Sequence, residues 1–141
     1  MNRGIDKEVL KTPVKKGKTT KSNPIRVDVL VPQNTVARII EVSDAMKIEK
    51  AATVRMLVWF GLRFASPFEL SKIADEKMYR IDGISDVKLD IRVTQEMLDE
   101  IEKMMKVDKL SKSSATKTLI FWALSNIGNY TIQDFIKINQ N

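Results

Sequence analysis

Six residues in two short stretches have the types and the spacing to recognise another molecule. Arg26, Asp28 and Leu30 alternate with Val27, Val29 and Val31 in IRVDVLVP, from Ile25 to Pro32. Lys88, Asp90 and Arg92 alternate with Val87, Leu89, Ile91 and Val93 in VKLDIRVT, from Val87 to Thr94. A period of two gathers the charged groups on one wet face of a strand and the apolar groups on the other. Such a face offers cationic donors and carboxylate acceptors for hydrogen bonding rather than groups for bond-making. The chain has no cysteine and no histidine, which excludes disulfides, thiolate or imidazole metal sites, cysteine nucleophiles and histidine bases. No nucleophile–base pair, phosphate loop or metal-ligand cluster is written elsewhere, so neither an enzyme nor a cofactor or metal is expected.

The two strands begin an internal repeat, sixty-two residues apart. Val36 and Ile39 correspond to Leu98 and Ile101 at the same offset. After a one-residue insertion, Ala52–Trp59 aligns with Ala115–Trp122, so that the two tryptophans coincide. The first copy reads as a helix from Pro32 to about Met46, with Val36, Ile39, Ile40 and Val42 on its apolar face and Arg38, Glu41 and Asp44 toward solvent. A second helix, from about Glu49 to Ala65, is apolar on almost every side and belongs in the middle of a core. Ser66-Pro67 reads as a cap and a first helical proline, opening a third helix to about Tyr79, and Asp82-Gly83 marks the turn into the second strand. In the second copy Thr94 is expected to cap a helix to about Lys106. Its stripe of Met97, Leu98, Ile101, Met104 and Met105 is core material, not a cofactor box. A loop over Val107–Leu110 leads to Ser111-Lys112-Ser113-Ser114 and a helix to about Asn126, ended by Gly128. Thr131–Ile138 echoes Ser66–Ile73, which predicts a third helix there too.

At 141 residues and 43% hydrophobic content, the chain suits one modest core. No apolar run is long enough to cross a bilayer, and no apolar core of a signal peptide follows the N-terminal charges. A soluble, intracellular protein without a membrane partner is expected. The net charge of +6 is unevenly spread: residues 1–24 hold seven Lys/Arg, including Lys15, Lys16, Lys18 and Lys21, against Asp6 and Glu8. The remainder holds 17 Lys/Arg and 16 Asp/Glu. A stretch so rich in Lys, Thr, Gly and Ser buries too little surface to offset its ordering entropy. It reads as a flexible basic arm, with a solubilising tail as the alternative.

One strand and two helices cannot cover their own apolar faces, and a lone strand leaves its backbone groups unpaired. Two copies can, if Ile25–Val31 and Val87–Val93 pair antiparallel about a local pseudo-twofold axis. The expected fold is mainly α with a two-stranded antiparallel ribbon. Its parts are an arm (1–24), a first repeat with a linking helix (25–82) and a second repeat with a C-terminal helix (83–141), the two repeats forming one folded unit.

The alternating strand ended by Pro32 or Thr94, the spacing of the two helices, and the loop and cap Leu110-Ser111-Lys112-Ser113 resemble the ribbon-helix-helix DNA-binding family, over about residues 25–127. The resemblance implies a tandem ribbon-helix-helix repeat: a fold that is normally a homodimer, written in one chain, as in proteins of conjugative plasmids and archaeal viruses. The first copy departs from the pattern at Glu49, which stands where Ser111 stands in the second.

The resemblance further implies that the ribbon enters the major groove of double-stranded DNA, with Arg26, Asp28, Leu30, Lys88, Asp90 and Arg92 at the base edges. Arg and Lys suit guanine acceptors, Asp accepts from the cytosine amino group, and Leu30 can touch a thymine methyl. Ser111 would cap its helix while the amides of Lys112 and Ser113 face a phosphate, with Lys50 in the matching place and Lys15, Lys16, Lys18 and Lys21 adding contacts from the arm. Asp28 and Asp90 would face each other, which is unfavourable unless nearby cations or base amino groups offset it, or the register shifts by two. Assigned by strand, Lys88, Asp90 and Arg92 bring two cations to one half-site, and Arg26, Asp28 and Leu30 bring one to the other.

The functional expectation is a sequence-specific transcriptional regulator, a repressor, in the cytoplasm and associated with the nucleoid. Further self-association along DNA is allowed for, and no small-molecule substrate is expected. Two alternatives are an accessory DNA-binding protein of a plasmid relaxosome or partition complex, and an antitoxin-like interaction module whose C-terminal segment Thr131–Asn141 grips a protein.

Overall fold

The computed structural model describes residues 25–129. β1 (Ile25–Val31) is followed by α1 (Gln33–Met46), α2 (Lys50–Phe64) and α3 (Pro67–Glu76); β2 (Val87–Val93) is followed by α4 (Gln95–Asp108) and α5 (Lys112–Asn126). Short 3-10 turns cover Met78–Asp82 and Ile127–Asn129. The described residues are thus mainly helical with one two-stranded antiparallel sheet. The basic arm and the helix expected from Thr131 lie outside the described residues.

The alternating pattern does what its period dictates. Val27, Val29 and Val31 of β1 and Leu89, Ile91 and Val93 of β2 are all buried, and the residues between them are exposed. A one-residue slip would turn the charged residues into the core, so the burial of one face fixes the register. Asp28 lies opposite Asp90, Arg26 opposite Arg92 and Leu30 opposite Lys88, with no shift by two.

Beneath the sheet α5 packs on β1 and α2 on β2, and the two helices pack on each other. Each strand is therefore covered by the second helix after the other strand. Phe60, Leu57, Leu119 and Ile120 are fully buried at this crossing, and the rings of Phe60 and Trp122 lie 5.4 Å apart, tilted by 36°. Fully burying an aliphatic or aromatic side chain of this size contributes roughly 1.5–3 kcal/mol. The helices approach tightly at Gly61, where an added Cβ would meet the Leu119 carbonyl oxygen at 3.0 Å.

The halves match in length: seven residues in each strand, fourteen in α1 and α4, and fifteen in α2 and α5. Each element begins sixty-two positions after its counterpart, and the offset never becomes sixty-three. At sixty-two every buried position of α2 falls on a buried position of α5, with Phe60 matching buried Trp122 and half-buried Trp59 matching half-buried Phe121; buried Leu124 alone has a half-buried counterpart, Leu62. The insertion inferred from the two tryptophans is therefore corrected. On a helix that is apolar all round, a shift of one still aligns apolar with apolar, so hydrophobicity reads the helix without reading its phase.

The helix ends refine the expectations. Pro32 is the N-cap of α1 rather than its first residue. Within α1, Ile40 is exposed while Thr35 and Ser43 are buried; the Ser43 hydroxyl donates to the Ile48 carbonyl, which makes its burial tolerable. Thr94 caps α4 by accepting from the Met97 amide at 3.2 Å. Ser66 and Glu69 make a reciprocal capping box at 3.1 and 3.0 Å. α3 stops at Glu76, short of Tyr79, because Lys77 turns left-handed (φ 49°) and the following 3-10 turn carries Tyr79 into the core. α4 continues through Val107 to Asp108, where left-handed Lys109 (φ 55°) ends it as Lys47 (φ 58°) ends α1. Gly128 lies inside the 3-10 turn after α5 and is not a left-handed cap; Gly83 is the one glycine with positive φ among the described residues.

Candidate nucleic-acid interface

The outer face of the ribbon brings Arg26, Asp28, Leu30, Lys88, Asp90 and Arg92 together, all exposed. Directly opposed residues carry like charges in two of the three pairs, which by itself disfavours the pairing. The diagonals relieve it. Arg26 donates from Nε to Asp90 Oδ1 at 3.0 Å and from Nη2 to Asp90 Oδ2 at 2.8 Å. Lys88 Nζ stands 3.6 Å from Asp28 Oδ2, and Arg92 Nε 3.7 Å from Asp90 Oδ1. The Arg26 hydrogen bond above all, then the charges of Arg26 and Arg92, hold the Asp90 carboxyl below its ordinary pKa; the same bond raises that of Arg26. Ion pairs this open to water add little stability. Their consequence is orientation: all three cations of the face have a carboxylate partner before anything binds, and the two hydrogen bonds of Arg26 also fix its direction.

Antiparallel pairing also changes how the charges are grouped. Arg26 and Arg92 share one end of the ribbon, Leu30 and Lys88 the other, and the two aspartates share the middle. A two-fold partner laid along the ribbon meets one end per half, not one strand per half. The assignment of half-sites by strand is corrected accordingly: one end carries two arginines, the other one lysine and an apolar side chain.

The starts of α2 and α5, the helices that pack on the sheet, differ from each other. Ser111 caps α5 by accepting from the Ser114 amide at 3.1 Å, and no acid lies in the first turn. Lys112 and Ser113 occupy that turn, where amides have no partner within the helix. At the matching start of α2, exposed Glu49 is the N-cap without a side-chain hydrogen bond to the helix, and exposed Lys50 follows it. Lys15, Lys16, Lys18 and Lys21 lie outside the described residues.

Sequence reasoning missed a second cationic feature. Lys117 of α5 lines the same small cleft as Val31, Pro32 and Thr35, which puts it beside the Leu30–Lys88 end of the ribbon. Its Nζ lies 5.2 Å from the centre of the Tyr79 ring. Burial first, and then the charge of Arg80, push its pKa down. Arg80 comes near only because α3 ends early and the 3-10 turn folds back, and nothing in the local pattern announces that.

A different concavity, of about 210 Å³, separates α3 from α4 and is lined by Leu62, Ala65, Pro67, Leu70, Met104 and Val107. The polar groups at its rim are partly engaged: Lys103 with Glu100 at 3.2 Å, and Asp108 with the Ser71 hydroxyl at 2.6 Å. Among the described residues no group of three His, Cys, Asp or Glu is placed to hold a metal, and no helix is long and apolar enough to cross a membrane. Comparison with protein-family models, curated proteins and solved structures returned no match to the chain.

Proposed function

We propose that the chain is a tandem ribbon-helix-helix protein, a dimer written in one polypeptide, that binds double-stranded DNA sequence-specifically and represses transcription by occluding a promoter. One observation carries the reading: a two-stranded ribbon turns six recognition-competent side chains outward as one face, while its other face is sealed beneath α2 and α5. The major groove of B-DNA, about 12 Å wide, admits such a ribbon and offers each base pair in a distinct pattern. Leu30 supports the same reading, since an apolar side chain 48% exposed between charged neighbours suits a thymine methyl.

The division of labour follows from charge. Three cations and two carboxylates leave the ribbon nearly neutral, so it supplies discrimination more than attraction. The attraction comes from phosphate contacts at the start of α5, through Ser111, Lys112 and Ser113, at Lys50, and along the basic arm. The site of action is the nucleoid.

Selecting bound duplexes from a random pool with the full chain tests this. A short consensus should emerge, with log affinity falling against log salt by about 0.9 per phosphate contact. No enrichment over the starting pool would overturn the reading. The positions of selected sites, at promoters or at a transfer origin, separate a repressor from a relaxosome or partition protein that uses the same ribbon.

A further inference from the structure

Resting on that DNA-binding reading, we infer that each diagonal ion pair of the ribbon reads one G·C base pair as a unit, the cation on guanine and the carboxylate on the paired cytosine. The two units are Arg26 with Asp90 and Lys88 with Asp28.

The argument begins with what the Arg26–Asp90 geometry leaves unused. Asp90 occupies one edge of the guanidinium, the edge formed by Nε and Nη2. Arginine has five donors in a fixed fork, so the opposite edge, formed by Nη1 and the second hydrogen of Nη2, still presents two parallel N–H groups. Guanine offers O6 and N7 as two parallel acceptors in the major groove. Each Asp90 oxygen accepts one bond from Arg26; Oδ1 also faces Arg92 Nε at 3.7 Å, so Oδ2 is the oxygen that keeps capacity for a further donor. The donor beside guanine O6 in the groove is the N4 amino group of the paired cytosine. Cation and carboxylate side by side on the ribbon are thus the complement of acceptor and donor side by side on a G·C pair. An A·T pair serves less well, because the adenine amino group would oppose the arginine donors and thymine O4 would oppose the carboxylate.

The second unit repeats the first in weaker form. Lys88 Nζ lies 3.6 Å from Asp28 Oδ2, an ion pair without the fork. Lysine is a point charge and can satisfy guanine acceptors without fixing a plane. The aspartates face each other at the middle of the ribbon, so the two G·C pairs belong at the centre of the site, one on each side of the pseudo-dyad. Outside them Arg92 stands at the arginine end and Leu30 at the lysine end, which makes the flanks unlike: guanine on one side, thymine on the other.

N4-methylcytosine provides a direct probe. In a paired cytosine one amino hydrogen goes to guanine, so the methyl takes the groove position and removes the donor the carboxylate needs. Binding of the full chain to its selected duplex is measured with N4-methylcytosine, 7-deazaguanine or inosine at each central pair. N4-methylcytosine, or loss of guanine N7, should weaken binding about tenfold or more at a contacted position. Inosine keeps O6 and N7 and loses only a minor-groove group, so it should leave affinity unchanged. The double variant Asp28→Asn, Asp90→Asn, at two exposed positions, should move the central preference toward adenine, whose amino group and N7 suit an amide. A selected site with A·T pairs at its centre, or unchanged binding to N4-methylcytosine duplexes, overturns the inference while DNA recognition stands. Failure to bind any duplex overturns both.

Discussion

Sixty-two residues apart, α2 and α5 bury Leu57 and Leu119, Val58 and Ile120, and Phe60 and Trp122 at matching positions, yet one helix starts at Glu49 and the other at Ser111. The same contrast runs along the strands. Every buried position is apolar in both, while the outward pairs are Arg26 with Lys88, Asp28 with Asp90 and Leu30 with Arg92. Inside, each half is the other's packing partner, so volume and polarity are constrained together. Outside, nothing in the fold requires the halves to agree. The surviving sameness of the two aspartates, which repel across the ribbon unless cations lie on the diagonals, is the outward feature that packing explains least and recognition explains best.

The comparison is broken most violently at the core. Phe60→Ala and Trp122→Ala should each lower stability by about 3–5 kcal/mol, measured by urea unfolding. The double variant should lose a different amount from the sum, because the two rings touch. A near-silent change at either position would mean that the halves do not share one core.

At the ribbon ends the expectation is inequality. Arg92→Ala should cost about 1–3 kcal/mol of binding to the selected site and relax one base position. Arg26→Ala should cost at least as much, since it also releases Asp90. Leu30→Ala should matter less, and at a thymine. Titration against single-base variants of the site checks this, and equal losses at both ends would remove the asymmetry.

How much of this could be read in advance depended on which kind of pattern carried it. Period-two alternation with Pro32 and Thr94 at its ends fixed both strands to the residue and predicted the wet face, because burying one face of a pleated strand leaves no freedom of phase. The all-apolar α2 and α5 were legible as buried helices but not in alignment, so the tryptophans misled. Half-site grouping failed for another reason: residues on one strand were counted together, whereas antiparallel pairing places Arg26 beside Arg92. Arg80 and Lys117 were out of reach, since their approach depends on a left-handed lysine, Lys77, that no turn signal marks.

Smaller effects sharpen the contrast at the helix starts. Glu49→Ser should stabilise the fold by roughly 0.5–1 kcal/mol through a new N-cap. Under the proposed DNA contact it should also tighten binding to every duplex, because a carboxylate would be removed from the helix end that the proposal sets against a phosphate. Ser111→Glu should do the reverse. Thermal melts with and without DNA separate the two contributions.

The smallest effect is in acid. Asp90's folded pKa lies below its unfolded value of 3.8, so its contribution is present above that value and is lost as pH falls through the folded pKa. Asp90→Asn should flatten the acid limb of the stability curve and leave its slope from pH 5 to pH 8 unchanged, with the level there slightly lower because the carboxylate's contribution is gone. An altered slope near neutrality would point to another group.

The claim that the ribbon is the surface that meets DNA is tested most directly by nuclear magnetic resonance of the full chain titrated with its selected duplex. The largest shifts should fall on Arg26, Asp28, Leu30, Lys88, Asp90 and Arg92 and on the Lys112 and Ser113 amides, with the groove between α3 and α4 unaffected. A silent ribbon, with shifts gathered instead at Leu62, Leu70, Met104 and Val107, would contradict it.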